Sequence, residues 1–226
     1  MNVNFPLRSI VKVLIYVITA LVSIYILLAI LRYHLGFGVY GAIIDWFDLD
    51  RESSISTWFS QMQLAFAALL LLVIARLTQI KGAKDYRYWY FLAGIIGFMS
   101  LDEGAEIHEK FARPMRELLG VAEFSGPLSN AWVVVAVPIV VLVGLMLVRF
   151  LWRLPANTRV LFIVSALVFL SGAIGSELMG GGHSGFAYSL FVAAEEGAEM
   201  IGVWILMYGL TDYIYRYLPK ASIHLR

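Results

Sequence analysis

The chain has 226 residues, of which 61% are hydrophobic and 15% are charged, and its mean hydropathy is +0.80. Soluble domains contain about 45–50% apolar and about 25% charged residues, so this composition predicts a multi-pass membrane protein. A formal net charge of +1 gives no indication of a nucleic-acid partner. The chain has no cysteine, which excludes disulfides, iron–sulfur clusters and thiolate zinc sites.

Six hydrophobic stretches are each long enough to cross a bilayer, which needs about 20 apolar residues. They lie near 10–31, 57–76, 88–108, 131–151, 159–179 and 187–210. The first stretch is too long for a signal peptide and lacks a clear cleavage site, so we interpret it as a retained helix. The pattern predicts an all-α, polytopic membrane bundle of six transmembrane helices that occupies 1–226 as a single domain.

Lysine and arginine are distributed unevenly between the two sides of such a bundle. Twelve of the 17 lie on the side of the termini: Arg8, Lys12, Arg76, Lys81, Lys84, Arg87, Arg149, Arg153, Arg159, Arg216, Lys220 and Arg226. The other side has Arg32, Arg51, Lys110, Arg113 and Arg116. Because basic residues are enriched in cytoplasmic loops, both termini are predicted to be cytoplasmic.

The third stretch ends in an acidic sequence that runs from Ser100 to Glu109. At about 100° per residue, Asp102, Glu106 and Glu109 share one stripe of a helix, and Glu103 lies beside it. His108 falls off this stripe. In the alternative interpretation Ser100 and Glu103 form a capping box, and 102–109 belongs to a surface helix.

The last stretch contains three glutamates, Glu195, Glu196 and Glu199. The apolar runs on either side, 189–194 and 200–210, are each too short to cross a bilayer, so the glutamates lie inside the span. A charge at mid-helix costs about 2.5–3.5 kcal/mol on insertion scales, and such residues are usually functional. Alternatively, the three carboxyl groups are protonated and serve only as hydrogen-bonded packing contacts.

The predicted orientation places these acidic residues in the outer half of the bundle. Glu177 ends the fifth stretch, and His183 lies in the following outer loop. Alternatively, neither residue has a functional role, because charged residues at the ends of membrane spans are common. The first outer loop contains His34, Asp45, Asp48, Asp50 and Glu52. The sequence therefore predicts one acidic site that opens to the outside only.

The acidic residues predict a metal site. Like charges in a poorly hydrated site cannot all ionise, so protons or a bound cation must compensate them. Carboxylate-rich ligation with few imidazoles suits a divalent metal ion such as iron, manganese or zinc. The predicted metal ligands are Glu103, Glu106, Glu177, His183, Glu196 and Glu199. Asp102, His108 and Glu195 are the predicted catalytic groups.

Such a site predicts a metal-dependent enzyme that acts on a lipid or a small apolar molecule, by hydrolysis or by oxidation. Membrane lipid is the expected partner, and the sequence is also compatible with an oligomer. One alternative is a cation transporter that uses the paired Glu-x-x-Glu sequences at Glu103 and Glu196. Another is a non-catalytic membrane subunit with structural acids. The inner halves of the spans contain almost no ionisable residues, which argues against a path through the membrane.

Several short motifs together resemble a known family. They are Phe47-Asp48-Leu49-Asp50-Arg51-Glu52, Thr57-Trp58-Phe59-Ser60, Ser100-Leu101-Asp102-Glu103, His108-Glu109 and Glu195-Glu196. The chain resembles a family of uncharacterised bacterial multi-pass membrane proteins. This resemblance implies a location in the bacterial inner membrane, and it brings no activity and no functional residue with it.

Overall fold

A computed structural model of the protein describes residues 6–36, 41–107, 110, 114, 131–176 and 184–218. The elements are α1 (Leu7–Tyr33), α2 (Gly41–Phe47), α3 (Ile55–Ile80), α4 (Tyr86–Ala105), α5 (Ala131–Arg153), α6 (Ala156–Leu170), a π-helical segment (Ser171–Ser176) and α7 (Gly185–Tyr217). No strand occurs in these ranges. The prediction of an all-α protein is confirmed.

Four helical stretches are long and apolar enough to cross a membrane. They are Leu7–Tyr33, Ile55–Ile80, Val134–Arg153 and Ala156–Gly175. They indicate a membrane-embedded protein. The remaining long helices, α4 and α7, carry the two acidic sequences. Within the described residues each of the six predicted hydrophobic stretches overlaps one long helix, the fifth α6 together with the π segment. Residues 108 and 177–179 of these stretches lie outside the described residues.

The structure ends α4 at Ala105, whereas the predicted third span continues to 108. Glu106 follows the helix with φ 51° and ψ 40°, which is a left-handed conformation. A residue in this conformation commonly terminates a helix, although it is usually a glycine or an asparagine and not a glutamate. The stripe of Asp102, Glu106 and Glu109 predicted from ideal helical geometry is therefore interrupted at Glu106.

The long helices alternate in direction, and polar contacts join their ends at one end of the bundle. Arg8 of α1 lies 3.9 Å from Asp212 of α7, and Lys81 after α3 donates to the Tyr217 carbonyl at 3.0 Å. Arg153 of α5 pairs at 2.7 Å with Asp85, the residue before α4. We call this the basic end. The opposite end, where α1 and α4 finish and α3 and α7 begin, is the acidic end.

Helix α7 is the centre of the bundle and packs against α1, α3, α6 and the π segment. Its middle turn is tied to three neighbours by side-chain hydrogen bonds to backbone carbonyls. They are Gln63 Nε2 to Met200 O (3.0 Å), Ser165 Oγ to Gly202 O (2.7 Å) and Trp204 Nε1 to Val11 O (2.7 Å). Hydrogen bonds between membrane helices contribute about 0.6 kcal/mol each on average. These three contacts therefore fix the position of α7 along its neighbours and add modestly to the stability of the bundle.

The half of the bundle near the basic end has an aromatic core around Trp89, which is only 1% exposed. The ring centroids of Phe150, Phe162 and Tyr213 lie 5.0, 5.9 and 5.0 Å from that of Trp89. Phe150 also stacks on Tyr88 at 5.0 Å. These rings bring α4, α5, α6 and α7 together.

Among its described side chains, helix α5 packs against the bundle core through residues of its second half: Val143, Leu147, Phe150 and Leu151. Among the described residues it makes no extensive packing contact with any other helix. Its buried side chains, Leu147 and Phe150, lie in its last two turns, whereas Leu142, Leu145 and Met146 are exposed. The association of α5 therefore depends on the aromatic core.

Candidate functional site

Carboxylates from three separate segments converge near the acidic end. Glu103 of α4, Glu195 of α7, and Asp50 and Glu52 before α3 all lie close enough to Glu196 to act on it electrostatically. We call these five residues the acidic cluster. Glu103, Glu195 and Glu196 are half-buried, whereas Asp50 and Glu52 are exposed. The cluster is therefore open at the acidic end and partly shielded below it.

The segment between α2 and α3 is fixed against α7. The Tyr188 hydroxyl donates to Asp50 Oδ1 at 2.8 Å, and Glu195 acts electrostatically on the same tyrosine. Thr57 supports the segment from the other side, since its hydroxyl donates to the Arg51 carbonyl at 2.8 Å. These bonds hold Asp50 and Glu52 near the glutamates of α7.

The face of α3 that continues inward from this cluster is polar. Ser56, Ser60 and Gln63 recur at helical spacing on one face and are all buried. Within the described part of the chain, Ser56 Oγ and Gln63 Oε1 have no hydrogen-bond partner. Further along the same face, Ala67, Leu71 and Ile74 are fully buried. The buried polar face of α3 is therefore interrupted below Gln63 and resumes only at Thr78.

The π segment lies directly against the glutamates of α7. A Cβ atom on Gly172 would lie 2.7 Å from the Glu195 carbonyl oxygen and 3.0 Å from Glu199 Cγ. Only glycine permits this close approach, and π-helical turns are frequent at functional sites. Glu199 thus packs towards the π segment, whereas Glu196 lies near Glu103.

The other predicted residues that the structure describes lie further from the centre of the acidic cluster. Ser100 lies inside α4 and is buried, with its hydroxyl donating to the Gln61 carbonyl at 2.9 Å. It therefore does not cap a separate surface helix, and the alternative interpretation of 102–109 is wrong on this point. Glu106 lies 3.8 Å from Lys110. Asp102 is half-buried near the end of α4.

The predicted metal ligands are only partly brought together. In the residues that the structure describes, no three Asp, Glu or His side chains form a group that could hold a metal ion. Glu103 acts electrostatically on Glu196, whereas Glu106 lies beside Lys110 and Glu199 packs against the π segment at Gly172. Glu177 and His183, as well as the predicted catalytic His108, lie outside the described residues, so their part in the site stays a prediction.

The sequence placed Asp50 and Glu52 on the same side as the predicted site, but it named neither them nor Tyr188 as a ligand or catalytic group. A signal for the first two was present, because Asp48, Asp50 and Glu52 form an acidic run just before a predicted span. Loop conformation decides whether such a run faces the helices or the surroundings. For Tyr188, which is 40% exposed, no signal separates it from other interfacial tyrosines.

The fold and the site define an all-helical, membrane-embedded protein with a carboxylate cluster at one end of its bundle. Residues 13–212 match a family model described as a domain of unknown function, DUF8692, and the chain belongs to this family. The matched region contains the whole acidic cluster. No match was found among the curated proteins or the solved structures.

Proposed function

We propose that the chain crosses the membrane six times, with both termini in the cytoplasm and the acidic cluster facing outside. The alternating direction of the long helices supports this topology, and so does the location of Arg8, Lys81, Arg153 and Arg216 at one end of the bundle. Basic residues mark the cytoplasmic side. The resemblance found in the sequence favours a bacterial inner membrane.

We further propose that the acidic cluster binds a divalent metal ion and that the protein is a metal-dependent enzyme. The observation that carries this proposal is the convergence of carboxylates from α4, α7 and the segment before α3 around Glu196. Repulsion among half-buried carboxylates opposes this arrangement, and a bound cation would compensate it. Oxygen ligands suit manganese or iron, and zinc also accepts carboxylates.

In this proposal Glu103 and Glu196 are the first ligands, and Asp50, Glu52 and Glu195 supply the surrounding negative charge. Glu106, Glu177, His183 and Glu199 are retained as further predicted ligands, and Asp102, His108 and Glu195 are retained as the predicted catalytic groups. A bound metal ion supplies Lewis-acid chemistry or an activated water. Because the cluster lies within a membrane-embedded bundle, the substrate proposed is a lipid or a small apolar molecule.

A one-sided site is favoured over a cation transporter. The buried polar face of α3 is interrupted after Gln63 and gives way to Ala67, Leu71 and Ile74. A cation path towards the basic end would need polar groups at this depth. We therefore expect proteoliposomes that contain the protein to show no flux of manganese or protons above that of protein-free vesicles.

Metal content tests the proposed function. After incubation with iron, manganese or zinc and removal of free metal, we expect the parent to retain about one ion per chain. The double variant Glu103→Gln/Glu196→Gln should retain at least about tenfold less, because its two central ligands are neutral. Elemental analysis measures both.

The matched control is Asp85→Asn, which removes a carboxylate from an ion pair with Arg153 at the basic end. It should retain as much metal as the parent. A parent without bound metal, or an equal loss in the control, would show that the acidic cluster is not a metal site.

A further inference from the structure

A cleft lies beside the acidic cluster, between α1, α2 and α7. Its lining consists of Tyr25, Leu28, Ala29, Arg32, Tyr33, Ile44, Asp48 and Ser189. The four α1 residues from Tyr25 to Arg32 recur at helical spacing, so they form one face that extends about 10 Å along the helix. The deepest part of the cleft, about 30 Å³, has room for one or two water-sized groups, and the rest of the cleft is open to the surroundings.

The cleft contains one charge of each sign. Within the described residues Arg32 forms no ion pair, and its guanidinium lies over the Tyr33 ring at 5.2 Å from the centroid. Asp48 accepts one hydrogen bond, from the Asp50 N–H at 3.2 Å. Arg32 is exposed at the mouth, and Asp48 is half-buried. The lining therefore offers one cationic and one anionic side chain to a ligand.

The interior of the cleft is mixed polar and apolar. Tyr25 and Ser189 are both buried, and their side chains lie close enough to interact. Leu28, Ala29 and Ile44 supply apolar walls. Such a lining suits a small charged group that is attached to a hydrocarbon chain.

The position of the cleft indicates which ligand would reach it. It lies where the apolar helix α1 ends, and the exposed Trp46 and Trp58 belong to the same end of the bundle. Tryptophan and tyrosine are enriched at the level of lipid headgroups. A lipid headgroup is therefore the ligand that meets this cleft in a membrane.

We propose that the cleft binds the headgroup of a phosphoethanolamine lipid. Arg32 would receive the phosphate, since guanidinium is well suited to phosphate oxygens. Asp48 would receive the primary ammonium, and the narrow interior of the cleft favours an ammonium over a trimethylammonium group. The acyl chains would follow the apolar face of α1. Binding does not require the metal proposed for the acidic cluster.

Native mass spectrometry of the delipidated protein tests this site with three dioleoyl lipids that carry ethanolamine, choline or glycerol headgroups. We expect the ethanolamine lipid to bind about tenfold tighter than the other two. Asp48→Asn should reduce its affinity to that of the glycerol lipid, because only the ammonium contact is lost. Arg32→Gln should weaken the binding of the ethanolamine lipid and of the glycerol lipid alike, because both carry the phosphate.

The control is Arg51→Gln, which changes an arginine paired with Asp45 outside the cleft lining. It should leave all three affinities unchanged. Arg32 is exposed, so Arg32→Gln keeps the proposal testable even if Asp48→Asn fails to fold. Equal binding of the three lipids by the parent would overturn the proposal. An ethanolamine preference that persists in Asp48→Asn would also overturn it, and so would lipid binding that is unchanged in Arg32→Gln.

Discussion

Phe150→Ala is expected to lower the free energy of unfolding by about 3 kcal/mol, at the lower end of the range for Phe→Ala in a core. Phe150 is fully buried between Tyr88 and Trp89, and removing its ring leaves a cavity in the aromatic core. The lower end applies because lipid, unlike water, solvates an apolar side chain well. Thermal unfolding in detergent, followed by near-ultraviolet circular dichroism, measures the change.

The matched control for this variant is Met146→Ala, one turn earlier in α5, where the side chain is 53% exposed. It should change stability by less than about 0.5 kcal/mol, as exposed positions usually do. Since α5 has little other packing, we also expect Phe150→Ala to increase proteolysis between α4 and α5. Equal effects of the two substitutions would contradict the role of the aromatic core in holding α5.

Gly202→Ala is expected to destabilise the protein by about 1–3 kcal/mol through overpacking. A Cβ atom at this position would lie 2.7, 2.8 and 2.9 Å from Cβ, N and Cα of Phe169. These are mostly backbone atoms of α6, so the two helices must separate. Their separation also weakens the hydrogen bond from Ser165 to the Gly202 carbonyl. Thermal unfolding and the yield of monodisperse protein report the loss.

Gly144→Ala in α5 provides the comparison, because a Cβ atom there meets nothing within 4 Å. Alanine is a better helix former than glycine by about 0.5–1 kcal/mol, so this control should be neutral or slightly stabilising. If Gly202→Ala were as stable as Gly144→Ala, the close approach of α6 and α7 would be wrong.

Much of the fold could be predicted because long apolar runs leave few alternatives to membrane helices. The runs beginning near Ile10 and Thr57 fall on α1 and α3, and Arg8 and Lys81, two of the basic residues predicted to share one side, lie at the same end of the bundle. The end of α4 could not be predicted, because a left-handed glutamate is uncommon and has no signature in composition. The sparse packing of α5 is a tertiary property, and its apolar sequence is compatible with burial in protein or in lipid.

The acidic site was predicted only in part. Helical periodicity pairs Glu195 with Glu199, but the structure turns Glu199 towards Gly172 and leaves Glu196 near Glu103. Which face of α7 meets which neighbour depends on the packing of several helices, and periodicity along one helix does not contain that information. Asp50 and Glu52 join through a loop held by Tyr188, whose contact spans 138 residues of sequence.

The central claim is that the acidic cluster binds a divalent cation, and thermal unfolding with and without manganese tests it most directly. Manganese at about 100 times its dissociation constant should stabilise the parent by about 2.7 kcal/mol. Glu196→Gln should lose this stabilisation and, without metal, should be at least as stable as the parent because one repulsive charge is gone. A parent that manganese does not stabilise, or an equal stabilisation of Glu196→Gln, would contradict the claim.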